Sequence, residues 1–216
     1  MDPAAFVQAN LPVRPVPGIP EIRLHKAQPS SHLSQLAAQD EQGFGSPYWA
    51  YYWGGGLALA RHVLDHPELV RGRRVLDLGA GSGLVAIAAA KAGAREVLAA
   101  DVDRYAVEAL PLNAALNHVE VTVLHADLTP GAPPDVDIVL VGDLFYERDL
   151  AERVTAFLDR CLGQGIEALV GDPWRTPLPI ARLTLLADYQ VAETDSAATK
   201  ASAVFAFGPP SDNLTP

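Results

Sequence analysis

The chain has 216 residues, 49 % apolar and 19 % charged, the size and balance of one globular domain of roughly 100–250 residues. Lys plus Arg number 16 against 26 Asp plus Glu, a formal charge of -10, so a phosphate-coated partner is repelled over most of the surface and nucleic-acid binding is disfavoured. The single cysteine, Cys161, excludes an intramolecular disulfide framework and any cysteine-rich metal cluster, and no apolar run approaches the roughly 18 residues of a membrane span.

The opening Met1-Asp2-Pro3-Ala4-Ala5-Phe6 has no basic segment ahead of an apolar stretch, so no targeting signal is read. A bacterial cytoplasm is the expected compartment, with the mitochondrial matrix as the alternative. Seven of the 18 prolines fall in the first 47 residues, crowded over Leu11–Pro20, where proline blocks helix interiors and inner strands. Residues 1–46 are therefore expected to form an extended proline-rich arm laid over a domain spanning 47–208, with 209–216 as a tail. Tyr48–Asp65 is a helical candidate with an aromatic start, interrupted at Gly54-Gly55-Gly56, where a ligand or loop is expected to approach closely.

From Arg74 onward, short β-rich runs alternate with helical stretches, the pattern of a parallel sheet covered on both faces. Strands are expected near Arg74–Leu78, Glu96–Ala100, Glu120–Leu124, Asp137–Val141, Glu167–Gly171, Tyr189–Glu193 and Ala201–Phe207. Helices are expected at Gly83–Ala92, Arg104–Leu116 with a kink at Pro111, Arg148–Leu162 and Leu178–Ala187. The last two strands have no helix between them and are expected to pair as a hairpin. The fold class is thus α/β: a seven-stranded, mostly parallel sheet with helices on both faces and a C-terminal antiparallel hairpin.

The strongest motif is Val75-Leu76-Asp77-Leu78-Gly79-Ala80-Gly81-Ser82-Gly83, a buried strand followed by three alternating glycines that open a helix. Residues without Cβ let backbone N–H groups and the positive helix end come close to a ligand. Asp101 ends the second strand about 20 residues on, where a carboxylate can accept hydrogen bonds from ribose hydroxyls. A glycine turn serving packing alone is the competing explanation. The spacing G-x-G-x-G also differs from the G-x-G-x-x-G of nicotinamide dinucleotide sites. At the end of the fourth strand, Gly142-Asp143-Leu144-Phe145-Tyr146-Glu147 puts a carboxylate and aromatics where open α/β sheets form their ligand crevice. Asp143 could instead cap the following helix.

In these residues the chain resembles the seven-β-strand methyltransferases that use S-adenosylmethionine. The resemblance implies a Rossmann-like methyltransferase fold. It implies Asp77 and the loop of Gly79, Gly81 and Gly83 around the donor's methionine part, and Asp101 on its ribose. It also implies Asp127, of His125-Ala126-Asp127-Leu128, near its adenine, and Gly142 and Trp53 against the cofactor. Asp127 reads otherwise as a turn or cap residue after the third strand. Asp-x-x-Tyr over Asp143–Tyr146 resembles the motif of protein lysine methyltransferases. Together with Pro47-Tyr48-Trp49-Ala50-Tyr51-Tyr52-Trp53-Gly54-Gly55-Gly56 and Gly171-Asp172-Pro173-Trp174-Arg175, it makes the chain similar, over about Pro47–Phe207, to the enzymes that methylate lysines of the electron transfer flavoprotein β subunit.

That likeness implies catalytic roles for Asp143 and Tyr146, S-adenosylmethionine as cofactor, and a lysine-bearing protein, the electron transfer flavoprotein β subunit, as substrate, with no nucleic-acid or membrane partner. A carboxylate favours the ammonium form of lysine, so Asp143 is expected to capture and align the lysine rather than act as a strong base. Tyr146 and Trp53 are expected to place aromatic faces near the sulfonium and the amine, ordinary aromatic packing being the alternative. Competing functions are a ribosomal protein methyltransferase, a NAD-dependent reductase and a non-catalytic cofactor-binding module.

No metal site is read. His62 and His66 lie one helical turn apart without the glutamate of the metalloprotease pattern and are expected on a solvated helix face. Asn113 and Asn117 are expected to face solvent, and Cys161 to be buried packing.

Overall fold

The computed structural model describes residues 2–40, 45–192 and 198–210. Helix α1 spans Pro3–Asn10, capped by Asp2, whose carboxylate accepts from the Ala4 amide. Strands β1 (Val13–Val16) and β2 (Ile19–His25) pair antiparallel around Pro17-Gly18, with Gly18 at φ 73°, and α2 (Leu33–Gln39) follows. The segment expected to be an extended arm therefore carries helix and hairpin. Pro3 sits at the start of a helix, where the missing N–H has no partner to lose, and Pro15 and Pro20 lie in a two-stranded sheet that no further strand flanks. Its Phe6, Val7, Leu11 and Leu36 are buried in one cluster with Tyr105, Ala106 and Ala109.

A 3-10 turn at Tyr48–Ala50 leads to α3 (Gly54–Asp65). The triple glycine expected to interrupt this helix is its first turn. A Cβ on Gly55 would stand 2.1 Å from the Gly171 carbonyl oxygen, so only glycine lets the helix end lie directly on the backbone there.

Next come β3 (Arg74–Leu78), α4 (Leu84–Lys91), β4 (Glu96–Asp101), α5 (Arg104–Leu116), β5 (Thr122–His125), β6 (Ile138–Gly142), α6 (Arg148–Gly163) and β7 (Glu167–Asp172). They fall within a residue or two of the expected places. The chain continues through β8 (Leu183–Val191) and β9 (Lys200–Phe207). Among the described residues the main sheet has seven strands in the order β5-β4-β3-β6-β7-β9-β8. Strands β5 to β7 run parallel, and β9 is antiparallel to both β7 and β8.

The helix expected over Leu178–Ala187 is not formed. The segment becomes a 3-10 turn at Ile180–Arg182 followed by β8, whose ladder with β9 from Leu183 to Val191 takes the backbone groups that a helix would have paired internally. Glu193, which closes the expected Tyr189–Glu193 strand, and residues 211–216 of the expected tail lie outside the described residues.

Side chains along the strands alternate between two cores. Val75, Ala99, Ile138 and Leu140 meet α3 and α4, while Leu76, Leu78, Val139 and Val141 meet Val154, Phe157 and Leu158 of α6. Full burial of each of these Val, Leu, Ile and Phe side chains contributes about 1.5–3 kcal/mol. All parallel strands end on the same side, and the order reverses at β3, between β4 and β6; that reversal opens a crevice at their carboxyl ends.

Three polar residues differ from expectation. Asn113 and Asn117 do not face solvent but are buried. Asn117 accepts from the Arg23 amide at 3.0 Å and donates to the Arg23 carbonyl at 2.7 Å. Asn113 accepts from the His25 amide at 2.8 Å and donates to the Ser82 carbonyl at 2.9 Å. The two side chains bond β2 much as a neighbouring strand would, attaching the hairpin to α5. His62 is likewise buried and lies 2.9 Å from the Tyr189 hydroxyl. Cys161 is buried as expected, and no helix among the described residues is long and apolar enough to cross a membrane.

Candidate active site

The turn after β3 is left-handed at each of its glycines: Gly79 at φ 70°, Gly81 at φ 51° and Gly83 at φ 85°. A side chain at any of them is strained, and a Cβ on Gly79 would come within 2.5 Å of Leu144. The amides of Gly79 and Ala80 donate to the Ala100 carbonyl at 2.8 and 3.1 Å, tying the turn to β4. Beneath it, Asp77 is 2 % exposed and accepts from the Ala86 amide, in the first turn of α4, at 2.8 Å. Burial pushes its carboxyl up to about 7.

Asp101 ends β4 and folds back on the turn. One carboxylate oxygen accepts from the Gly81 amide at 2.7 Å and the other from the Asp103 amide at 2.8 Å. Burial raises its carboxyl in spite of these donors. Asp127 follows β5 and accepts from the Thr129 amide and hydroxyl at 2.8 and 2.6 Å and from Arg153 at 2.6 Å. Burial pushes its carboxyl up, but the Thr129 groups and the Arg153 guanidinium outweigh that and hold it below the usual range.

Beyond Gly142, Asp143 takes a left-handed conformation, φ 61°, which is strained for a residue with a side chain. Its amide donates to the Gly171 carbonyl at 2.9 Å. Its carboxylate accepts from the Gly55 and Gly56 amides at 3.1 and 2.5 Å and from Arg175 at 2.7 Å. Asp143 does not cap the helix that follows it, the alternative raised above; it accepts instead from the first-turn amides of α3. Burial pushes this carboxyl up against the pull of Arg175.

Aromatics form the rim. Tyr48 and Tyr146 are 51 % and 42 % exposed, and the Tyr48 ring centre lies 5.6 Å from those of both Trp53 and Tyr146. The Trp53 indole N–H donates to the Tyr48 carbonyl at 2.8 Å. Together these groups border one cavity of about 680 Å³, within the range of small-molecule sites.

Residues 59–144 match the profile of the family described as Ribosomal protein L11 methyltransferase (PrmA). The electron transfer flavoprotein beta subunit lysine methyltransferase of Xenopus laevis is 38 % identical over 198 residues, covering 89 % of this chain and 80 % of the relative. The chain belongs to that lysine methyltransferase family. The Rattus norvegicus member is 38 % identical over 199 residues, covering 88 % of this chain and 78 % of the relative. The magnesium protoporphyrin IX methyltransferase of Synechocystis, solved with bound SAM, matches with TM-score 0.53 over 72 % of this chain and 80 % of its own at 17 % identity, a likeness of fold. The Rossmann-like methyltransferase fold expected from the sequence is the one found. Membership also displaces the reductase and the non-catalytic module. The ribosomal alternative is left with the match over 59–144.

For this methyltransferase, the cavity brings together Trp53, Asp77, Gly79, Gly81, Asp101, Asp127, Gly142, Asp143 and Tyr146. Gly83 stands apart: it starts α4, and a Cβ there would meet Leu110 at 2.6 Å. Among the lining residues that sequence reasoning did not single out as site residues are Tyr48 and Arg175. Both lie inside motifs that carried the family resemblance, yet nothing in spacing alone says that Arg175 turns back toward Asp143.

Proposed function

We propose that the cavity binds S-adenosylmethionine and that the enzyme methylates a lysine of the electron transfer flavoprotein β subunit. The observation that carries this reading is the convergence of Asp77, Asp101 and the glycine turn on the same cavity as Asp143 and Tyr146.

The residues fit the donor by their chemistry. Asp77 offers a buried carboxylate to an ammonium, Asp101 offers acceptors to ribose hydroxyls, and Leu84, Leu128 and Leu144 offer apolar walls. Asp127 contributes an acceptor already shared with Thr129 and Arg153. S-adenosylmethionine held there would supply an electrophilic methyl on a sulfonium, and a neutral lysine nitrogen would take it with its lone pair, the electrons of the old bond staying with sulfur. Neutralising a lysine of pKa near 10.4 at about pH 7.4 costs about 4 kcal/mol, and the proton leaves to water. Asp143, held by two amides and Arg175, aligns the lysine instead of deprotonating it. The Tyr48, Trp53 and Tyr146 rings line the approach, and a cation over such a face gains about 0.5–2 kcal/mol.

The test is intact-mass and peptide mass spectrometry of purified electron transfer flavoprotein β subunit after incubation with the protein and S-adenosylmethionine. Mass gains in whole methyl steps on lysine are expected, with none for a ribosomal protein L11 acceptor. Transfer to the ribosomal protein alone would replace the substrate, and no transfer to either would overturn the reading.

A further inference from the structure

Arg175 lies three residues beyond the end of β7 and turns back into the cavity. One nitrogen of its guanidinium, Nη1, stands 2.7 Å from Asp143 Oδ1 and 2.9 Å from Asp172 Oδ2. The Arg175 amide also donates to Asp172 Oδ1 at 2.7 Å. The Asp172 side chain is fully buried and those of Asp143 and Arg175 are 10 % and 21 % exposed. One cation is thus shared by two carboxylates, only one of which, Asp143, borders the cavity.

We propose that Arg175 is a positioning residue that holds Asp143 in its ionised form and offsets its charge, so that the incoming lysine is aligned without being locked as an ammonium. This rests on the reading that a lysine enters beside Asp143. An unbalanced carboxylate would raise the pKa of a neighbouring amine, and each unit gained lowers the neutral, reactive fraction about tenfold. A guanidinium stays charged throughout the working pH range, so the balance it provides does not itself titrate.

The surroundings leave this role to Arg175. The charged groups facing the pair are Asp172 from β7, with Lys200 of β9 acting on Asp172. Helix α3 presents to Asp143 the uncharged amides of Gly55 and Gly56. Across the cavity stand Asp77, Asp101 and Glu147, which would add negative charge, the Tyr146 phenol, which burial keeps neutral, and Arg153, which is engaged by Asp127.

Two substitutions should act in opposite directions. Arg175→Gln removes the shared cation, whereas Asp172→Asn removes the competing anion and leaves Arg175 to Asp143. In ligand-free protein with ¹³C-labelled aspartate, the Asp143 carboxyl, assigned through Asp143→Asn, should titrate about one unit higher in Arg175→Gln and lower in Asp172→Asn. With saturating acceptor, the alkaline-rising limb of kcat should move up in Arg175→Gln, lowering the rate about tenfold at about pH 7.5, and down in Asp172→Asn. Arg175→Lys should restore most of the wild-type profile. A merely structural role predicts a lower melting temperature and a rate reduced equally at every pH. The proposal is overturned if folded variants leave the titration unmoved or shift it in the same direction. If Arg175→Gln does not fold, Asp172→Asn and Arg175→Lys decide by the same criteria. The carboxyl titration needs no methyl transfer, so its failure is distinct from failure of the proposed function, which wild-type protein alone reveals.

Discussion

Asp77 carries a cost to the folded chain that the proposed donor would offset. Its carboxyl is 2 % exposed, and burial pushes it from 3.8 up to about 7. For a group raised in this way, the associated stability is fully present below about pH 3.8 and is lost as pH rises through about 7. Above that value the ligand-free protein holds a buried carboxylate with a hydrogen bond from the Ala86 amide. Asp77→Asn, which cannot ionise, should therefore melt higher at about pH 8, by about 1 kcal/mol or roughly 2–4 °C. An ammonium on the methyl donor reverses the preference by favouring the carboxylate. The melting shift caused by S-adenosylmethionine should be larger at about pH 8 than at about pH 6, and small at both in Asp77→Asn. Thermal melts at the two pH values, with and without donor, provide the measurement. Equal donor shifts at both would remove Asp77 from the donor's amino group.

At the scale of elements, the leader is part of the site's support. Asn113 joins the His25 amide of β2 to the Ser82 carbonyl of the glycine turn, so hairpin, α5 and turn share one side chain. Asn113→Ala would leave buried partners unsatisfied and should cost about 2–4 kcal/mol, read as a lower urea midpoint with accelerated exchange of the His25 amide. A solvent-facing asparagine would change stability by less than about 0.5 kcal/mol. Local patterns made the alternating strands and helices from Arg74 to Asp172 legible, because period and glycine punctuation are local properties. The leader was less so: proline was read as a breaker, although Pro3 starts a helix behind an Asp2 cap and Pro17-Gly18 makes a turn. Which face Asn113 and Asn117 occupy depends on a hairpin some 90 residues away in sequence, and no local signal carries that. The same is true of β8, where the Leu178–Ala187 pattern admitted a helix until β9 supplied a partner.

For the whole molecule, topology does most to assemble the site. Parallel β3, β4 and β6 deliver Asp77, Asp101 and Asp143 to one edge, so residues separated along the chain line one cavity. The carboxylates were legible because each lies at or next to the end of a strand. Their present partners were not, since Arg175 and the α3 amides reach Asp143, and the Gly81 amide reaches Asp101, only in the folded chain. Calorimetric titration with S-adenosylmethionine tests the account most directly. Saturable one-site binding is predicted at neutral pH, weakened about tenfold or more by Asp101→Ala, a change of about 1.4 kcal/mol. Absence of binding by the folded wild-type protein, or equal affinity in Asp101→Ala, would contradict it.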